Sequence, residues 1–230
     1  MNNLFITFEG GDGSGKSTQV NLLKDYLDNL NFETIKTREP GGTPSAEILR
    51  DLLTTGEVEK WTPMSEALLM WASRYEHLIQ VIEPALNSGK NVICDRFYDS
   101  TYAYQGVAHN LGIDKMEKLK KIIIGDIEPD VTFVLDIDPK VGLKRSLDRS
   151  NQENRFESYN IDFHNKIRSA FLEIAKKNKN RCVVVDASLN EQEINNLIIT
   201  VIDNPVSYTH LRAHETREDR VFRRLLEKKN

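Results

Sequence analysis

The sequence predicts an α/β fold in which one parallel sheet of five strands carries helices on both faces. Five short segments rich in β-forming residues alternate along the chain with segments of helical periodicity. The strand segments are apolar almost throughout, as is typical of parallel strands that are buried on both faces. A polar cluster follows each of them, and the carboxyl ends of parallel strands share one edge of a sheet. We therefore expect a ligand site at that edge.

Residue patterns place the individual elements in order. The strand segments begin near residues 4, 33, 91, 131 and 181. Apolar residues at helical spacing predict helices over residues 20–30, 44–55, 63–87, 99–108, 115–124, from 139 onward, 160–177 and 190–203. Asn87-Ser88-Gly89 ends the longest of these segments, as expected of a helix C-terminus.

Length and composition fit one α/β domain. The chain has 230 residues, of which 39% are hydrophobic and 29% are charged. We find no apolar run of membrane-spanning length and no signal peptide, so we expect no membrane association. Cys94 and Cys182 lie in apolar strands without metal-ligand spacing, which favours a reducing, cytoplasmic location. The net charge of −4 argues against a nucleic-acid-binding surface.

The C-terminal segment 205–230 differs from the rest of the chain. It holds 7 Lys and Arg against 4 Asp and Glu, although the whole chain is acidic. It continues no pattern of the preceding residues and resembles read-through sequence found on unrelated reading frames. A solvated basic helix is the alternative, because apolar residues within it have helical spacing. We expect the folded domain to cover residues 1–204 and the tail to be non-native or disordered.

A glycine-rich loop lies between the first strand and the first helix. Gly10-x-x-x-x-Gly15-Lys16-Ser17 fits the phosphate-loop pattern, in which backbone N–H groups and a helix start approach phosphate oxygens. Lys16 is expected to reach the β- and γ-phosphates, and the Ser17 hydroxyl to hold Mg²⁺. An ordinary glycine turn is the alternative. The residues expected to contact a nucleotide are Gly10, Gly11, Asp12, Gly13, Ser14, Gly15, Lys16, Ser17 and Thr18.

Charged residues after the second and third strands predict a second phosphate site and a metal site. Arg38 and Arg96 can bind phosphate through two parallel hydrogen bonds, the alternative being salt bridges with Glu39 and Asp95. Asp95 follows an apolar strand, where a carboxylate can orient Mg²⁺ or its water shell. Together with the glycine-rich loop, these residues predict a phosphoryl-transfer enzyme that binds a nucleotide and Mg²⁺.

Longer motifs surround these residues. They are Glu9-Gly10-x-Asp12-Gly13-x-Gly15-Lys16-Ser17, Thr37-Arg38-Glu39-Pro40-Gly41-Gly42, Ala72-Ser73-Arg74, Asp95-Arg96-Phe97-x-x-Ser100-x-x-Ala103-Tyr104-Gln105-Gly106 and Pro129-Asp130-x-Thr132. Over about residues 1–203 the chain resembles thymidylate kinases of the bacterial type. The resemblance implies a P-loop kinase fold with strand order 2-3-1-4-5. It also implies that this nucleoside monophosphate kinase domain transfers the ATP γ-phosphoryl group to dTMP. It also implies a homodimer.

The resemblance assigns roles to individual positions. Arg38 and Arg96 would hold the dTMP phosphate, Arg74 would bond the thymine carbonyl, and Asp12 would lie near the acceptor sugar and phosphate. Tyr104 would pack beside the deoxyribose, where its ring disfavours a 2′-hydroxyl. The residues expected near the base edge are Ser100, Thr101 and Gln105.

One position departs from the family pattern. The family usually stacks thymine on an aromatic residue four positions before the arginine, and this chain has Met70 there, with Trp71 beside it. Either side chain could pack on the base. The alternative is that both belong to the helix core.

Residues 148–157 are polar and lack periodicity, so we expect a mobile lid. Some members of the family carry an arginine in the phosphate loop, where this chain has Gly13, and others supply it from the lid. Arg149 and Arg155 fit the second type, and lid closure would exclude water from the γ-phosphate. We expect Arg155 to act first, because Phe156 could anchor the closed loop; a solvated loop is the alternative. The expected catalytic residues are Lys16, Asp12, Arg96, Arg155 and Arg149.

Two other functions stay open at this point. A different nucleoside or nucleotide kinase would keep the loop and lid but lose the residues expected at the base, Arg74, Ser100 and Gln105. A non-catalytic, GTPase-like switch would need an Asn-Lys-x-Asp guanine motif, and the nearest string, Asn165-Lys166-Ile167-Arg168, lacks the aspartate. The resemblance therefore implies a dTMP kinase.

Overall fold

The computed structural model describes residues 3–147 and 155–203, which contain one parallel sheet. Its strands are β1 (Phe5–Glu9), β2 (Thr34–Arg38), β3 (Asn91–Asp95), β4 (Val131–Asp136) and β5 (Cys182–Asp186). They lie in the order β2-β3-β1-β4-β5, and every neighbouring pair is parallel. The predicted fold class and strand order are confirmed. Arg149 and the tail 205–230 lie outside the described residues, so the expectations for them stay predictions.

The helices follow the predicted segments closely. Their bounds are α1 (Lys16–Asn29), α2 (Pro44–Thr54), α3 (Pro63–His77), α4 (Glu83–Asn87), α5 (Tyr98–Thr101), α6 (Ile113–Ile123), α7 (Pro139–Leu147), α8 (Ile161–Lys177) and α9 (Glu191–Asp203). A π-helical turn, Leu78–Ile82, joins α3 to α4, so the long predicted helix is continuous. A second π-helical segment, Tyr102–Ala108, extends α5, and a 3₁₀ turn, Val58–Lys60, follows α2.

Local sequence explains where several helices begin. The Thr43 hydroxyl accepts a hydrogen bond from Ala46 N at the start of α2, and Asn160 accepts one from Phe163 N at the start of α8. Proline occupies the first turn of α2 and α3, where its missing N–H costs nothing. These caps supply partners for backbone donors that an isolated helix leaves unpaired.

Hydrophobic cores cover both faces of the sheet. Phe5 and Val92 pack in one core with residues of α3, α6 and α8, whereas Ile6 and Ile93 pack in the other with residues of α1 and α9. Successive strand residues point to opposite faces, so both must be apolar when both faces are covered. This accounts for the nearly continuous apolar strands.

The strand register brings the polar strand ends together. Arg38 of β2 lies opposite Asp95 of β3, Phe8 of β1 also lies opposite Asp95, and Asp136 lies opposite Asp186. The loops that follow β1, β2 and β3 therefore leave the sheet at one edge. None of the helices among the described residues is both long and apolar enough to cross a membrane.

Candidate functional site

A cavity of about 930 Å³ opens at the carboxyl edge of the sheet. It lies among the loops after β1, β2 and β3 and the helices α2, α3 and α5. Most of the site residues expected from the sequence meet there. Those that line it are Asp12, Gly13, Gly15, Lys16, Ser17, Arg38, Met70, Arg74, Asp95, Arg96, Ser100, Thr101, Tyr104 and Gln105.

The glycine-rich loop forms one end of the cavity and leads directly into α1. Its lysine is buried, and Lys16 Nζ donates to Gly10 O at 3.1 Å and to Gly11 O at 2.8 Å. Burial lowers the pKa of Lys16 to about 8. The ammonium group is therefore held inside the loop, where a phosphate oxygen can replace the carbonyl oxygens as its hydrogen-bond acceptor.

Gly13 allows α7 to pack against this loop. Its φ of +69° is left-handed. A Cβ atom there would lie 1.9 Å from Gly142 O of α7, so this backbone arrangement leaves no room for a side chain. An arginine cannot extend from this position in the present fold.

Ser17 and Asp95 form the pair expected at a metal site. Ser17 Oγ donates to Asp95 Oδ2 at 2.7 Å, across the gap between α1 and β3. A hydroxyl and a carboxylate oxygen are ligands that suit Mg²⁺, and both residues line the cavity beside the lysine of the loop. The pair therefore fits a magnesium ion between the loop and β3.

Arg96 lines the cavity and has an unusual backbone conformation. Its φ of +69° is rare for a residue with a side chain. The guanidinium donates to Asp12 Oδ1 at 2.7 Å and to Gly10 O at 3.0 Å, and it lies 5.2 Å from the centre of the Tyr104 ring. Although burial opposes ionisation of Asp12, Arg96 and Lys16 outweigh it and lower the pKa of that carboxyl. Arg96 is thus placed between the glycine-rich loop and α5.

A buried carboxylate that the sequence did not single out holds the turn after β3. Glu9, the last residue of β1, accepts from Phe97 N at 2.7 Å and from Ser100 Oγ at 2.6 Å. Burial, together with the charge of Asp99, raises the pKa of Glu9 to about 8. In the sequence, Glu9 could have been recognised as a site residue because it is a charged residue at the end of an otherwise apolar strand.

Arg74 reaches the cavity from α3 and is almost fully buried. It donates to Glu39 Oε2 at 2.7 Å, to Thr101 Oγ1 at 3.0 Å and to Phe97 O at 3.0 Å. Its guanidinium stacks 4.5 Å from the ring of Trp71, which is fully buried and does not line the cavity. Of the two candidates for the base contact, Met70 is therefore the one that faces the cavity.

The salt bridges considered from the sequence have different partners in the structure. Arg38 is about half exposed and pairs with Glu47 of α2 at 3.0 Å instead of with Glu39. Glu39 is buried and pairs with Arg74 and with His77 Nδ1, at 2.7 and 3.0 Å. Arg38 therefore keeps its guanidinium at the open side of the cavity.

Arg155 is not where the sequence led us to expect it. Its side chain is fully buried and does not line the cavity. It donates to the carbonyl oxygens of Glu57, Leu53 and Val58 at 2.8–3.0 Å and pairs with Glu66 at 2.6 Å. These partners occupy the guanidinium, because they satisfy its donors away from the glycine-rich loop. Phe156 does line the cavity, with its ring centre 5.6 Å from that of Tyr104.

Further residues line the cavity that were not predicted as site residues from the sequence, although Phe156 was expected to anchor the closed lid. They are Glu39, Pro40, Arg50, Asp51, Thr54, Thr55, Ser146, Phe156 and Glu157. Arg50 and Thr54 lie one helical turn apart on α2, and that spacing was the available signal. Glu157 accepts from Ser146 Oγ at 3.0 Å, and burial together with Asp12 raises its pKa.

The fold and the cavity define the class of P-loop nucleotide kinases: a phosphate loop, a hydroxyl–carboxylate pair and several arginines surround one cleft of a parallel sheet. The family model for thymidylate kinase matches residues 8–198. The chain therefore belongs to the thymidylate kinase family.

Individual relatives agree with this assignment. The chain is 44% identical over 196 residues to the thymidylate kinase of Bradyrhizobium sp. (strain ORS 278), covering 84% of this chain and 87% of the relative. It is 47% identical to that of Afipia carboxidovorans, with 84% and 86% covered. The crystal structure of thymidylate kinase from Ehrlichia chaffeensis superimposes with a TM-score of 0.71 at 36% identity, covering 88% of this chain and 99% of that one.

Proposed function

We propose that this protein transfers the γ-phosphoryl group of ATP to dTMP and so forms dTDP for the synthesis of dTTP. One observation carries the proposal: a single cavity joins the phosphate loop to a pocket lined by Arg74, Arg96 and Gln105. A donor nucleotide and an acceptor phosphate would meet in that cavity, as in-line transfer requires. Membership of the thymidylate kinase family supports thymidylate as the acceptor.

The donor phosphates would lie on residues 10–18. Backbone N–H groups and the start of α1 would bind the phosphate oxygens, while Lys16 neutralises charge on the β- and γ-phosphates. Ser17 and Asp95 would hold Mg²⁺, which supplies further charge neutralisation between the phosphates. Because Lys16 already lies within the loop, it pays little extra ordering cost when the nucleotide binds.

The acceptor would lie across the cavity with its phosphate toward Arg96 and Arg38. The Arg96–Asp12 pair fixes one guanidinium in advance, and the half-exposed Arg38 would complete a two-arginine clamp. Tyr104, which donates to Asp12 Oδ2 at 3.1 Å, would pack near the sugar. The proposed base contacts are Arg74, Met70, Ser100, Thr101 and Gln105.

Charge on the transferring phosphoryl group needs another cation. We assign this role to Arg149 before Arg155, because the guanidinium of Arg155 is occupied by Glu66 and by backbone carbonyl oxygens. Arg149 lies outside the described residues, and comparing Arg149→Ala with Arg155→Ala tests the choice.

A coupled assay of ATP consumption tests the proposed function directly. The acceptors compared would be dTMP, dUMP, dCMP, AMP and GMP, each at equal concentration with saturating ATP and Mg²⁺. We expect the highest kcat/KM with dTMP. A higher value with a purine nucleotide or with dCMP would contradict the proposal and favour another nucleotide kinase on the same scaffold.

We also propose that the protein is a cytoplasmic homodimer. Exposed apolar side chains at helical spacing on α2, and along α3 and the following π-helical turn, support an interface at these helices. They are Ile48, Leu52, Leu68, Tyr75 and Ile79. Light scattering after size exclusion would give the mass in solution, and a monomer would contradict the proposal. The buried thiols of Cys94 and Cys182 fit a reducing compartment.

A further inference from the structure

A buried polar cluster lies behind the cavity and touches it through one side chain. Its centre is Glu66 of α3, which is fully buried and does not line the cavity. Gln105 Nε2 donates to Glu66 Oε1 at 2.7 Å, His109 Nε2 lies 3.3 Å from the same oxygen, and an Arg155 nitrogen lies 2.6 Å from Oε2. Burial opposes ionisation, but these three neighbours outweigh it and lower the pKa of Glu66.

The charge on Glu66 determines which way the Gln105 amide faces. An ionised carboxylate only accepts hydrogen bonds, so the amide nitrogen of Gln105 must point to it. The amide oxygen then lies on the other side of the group. Gln105 is 1% exposed and lines the cavity, so its amide has little freedom to turn. Its orientation is therefore set before any ligand binds.

We propose that Glu66 is a positioning residue that makes Gln105 a fixed hydrogen-bond acceptor for the N3–H group of a pyrimidine base. Thymine and uracil carry a proton on N3, whereas N3 of cytosine is itself an acceptor. A fixed acceptor in front of cytosine N3 leaves two lone pairs facing each other, which a specific site penalises strongly. This inference rests on the proposed function, because it takes dTMP as the acceptor.

Arg155 has a defined part in this arrangement. Three backbone carbonyl oxygens, from the end of α2 and the turn after it, hold its guanidinium in place. Its positive charge lies 2.6 Å from Glu66 Oε2 and favours the ionised carboxylate, whose other oxygen accepts from Gln105. The segment that follows residue 154 thereby supports recognition of the base.

The substitution Glu66→Gln tests this inference, and the same donor and acceptor rules predict whether the preference for dTMP over dCMP rises or falls. Because the positive charge of Arg155 lies beside one end of this group, the new amide must turn its oxygen to Arg155 and its nitrogen to Gln105. Gln105 then has to turn its own oxygen inward and present its nitrogen to the cavity. We expect the ratio of kcat/KM for dTMP over dCMP to fall about tenfold or more, mainly through KM for dTMP, with kcat changed less than about threefold.

Three controls separate positioning from general damage. Glu66→Asp keeps an acceptor and should retain a ratio near that of the wild type. Arg181→Met breaks a different buried ion pair, with Asp99 at 2.7 Å, and should lower the melting temperature without changing the ratio. In a Gln105→Ala background, Glu66→Gln should have no further effect on the ratio, because its effect passes through that amide.

The outcomes distinguish this inference from the proposed function. A wild-type enzyme that prefers another acceptor contradicts the proposed function. An unchanged dTMP/dCMP ratio in folded Glu66→Gln, or an equal effect in the Gln105→Ala background, overturns only the inference. If Glu66→Gln does not fold, exchange of the wild-type Gln105 side-chain amide protons decides: slow exchange without ligand supports the fixed orientation, and fast exchange overturns it.

Discussion

Arg155→Ala separates a structural role of this arginine from a catalytic one. The substitution removes the ion pair with Glu66 and three hydrogen bonds to carbonyl oxygens, and it leaves Glu66 charged and buried. Breaking a buried pair in this way costs about 3–5 kcal/mol, which for a chain of this size lowers Tm by about 10 °C. A transition-state arginine would instead contribute roughly 10³–10⁵ in kcat. The two roles therefore predict changes in different quantities.

The assay combines thermal unfolding with kcat, both measured on Arg155→Ala and Arg149→Ala. We expect Arg155→Ala to melt about 10 °C lower, yet to lose less than about tenfold in kcat when assayed well below its Tm. Arg149→Ala should melt normally and lose orders of magnitude in kcat. Normal melting of Arg155→Ala together with a thousandfold lower kcat would refute the structural reasoning. If neither variant loses activity, the assignment of a lid arginine is wrong.

Four further predictions concern other parts of the molecule. Lys16→Ala should abolish transfer with unchanged melting, and near-normal turnover would contradict the phosphate-loop assignment. Ser17→Ala and Asp95→Asn should each raise the Mg²⁺ concentration for half-maximal activity about tenfold, as a metal titration would measure. Because burial raises the pKa of Glu9 from 4.5 to about 8, the folded protein retains a proton there that the unfolded chain releases. The free energy of unfolding should therefore fall as pH rises from about 4.5 to about 8. Urea unfolding at several pH values should show a weaker dependence of this free energy on pH for Glu9→Gln. Deleting residues 206–230 should change activity and stability no more than a surface substitution does, roughly half a kcal/mol; loss of soluble protein would show that the tail packs on the domain.

Features encoded within one short segment were predictable from the sequence. The glycine-rich loop lies between a strand and a helix that each have a clear pattern, so local residues determine it. The meeting of Ser17 and Asp95 followed from one topological rule, that parallel strands end at one edge. No distant contact had to be known for either.

Features that depend on distant contacts were not predictable. Arg155 is buried by carbonyl oxygens of residues 53, 57 and 58, about a hundred positions earlier in the chain. A polar, aperiodic segment gives no sign of such partners, so the sequence predicted a catalytic arginine in a mobile lid instead. Met70 and Trp71 are adjacent on one helix, and only the packed structure shows that Trp71 lies in the core while Met70 lines the cavity.

The backbone contact between the phosphate loop and α7 limits how this enzyme can change by single substitutions. A Cβ atom at Gly13 would collide with Gly142 O, and one at Gly142 would lie 2.4 Å from Asp12 O. Neither glycine can be replaced until the other segment has moved, so the two positions constrain each other. An evolutionary path that places an arginine at position 13 must therefore first displace α7.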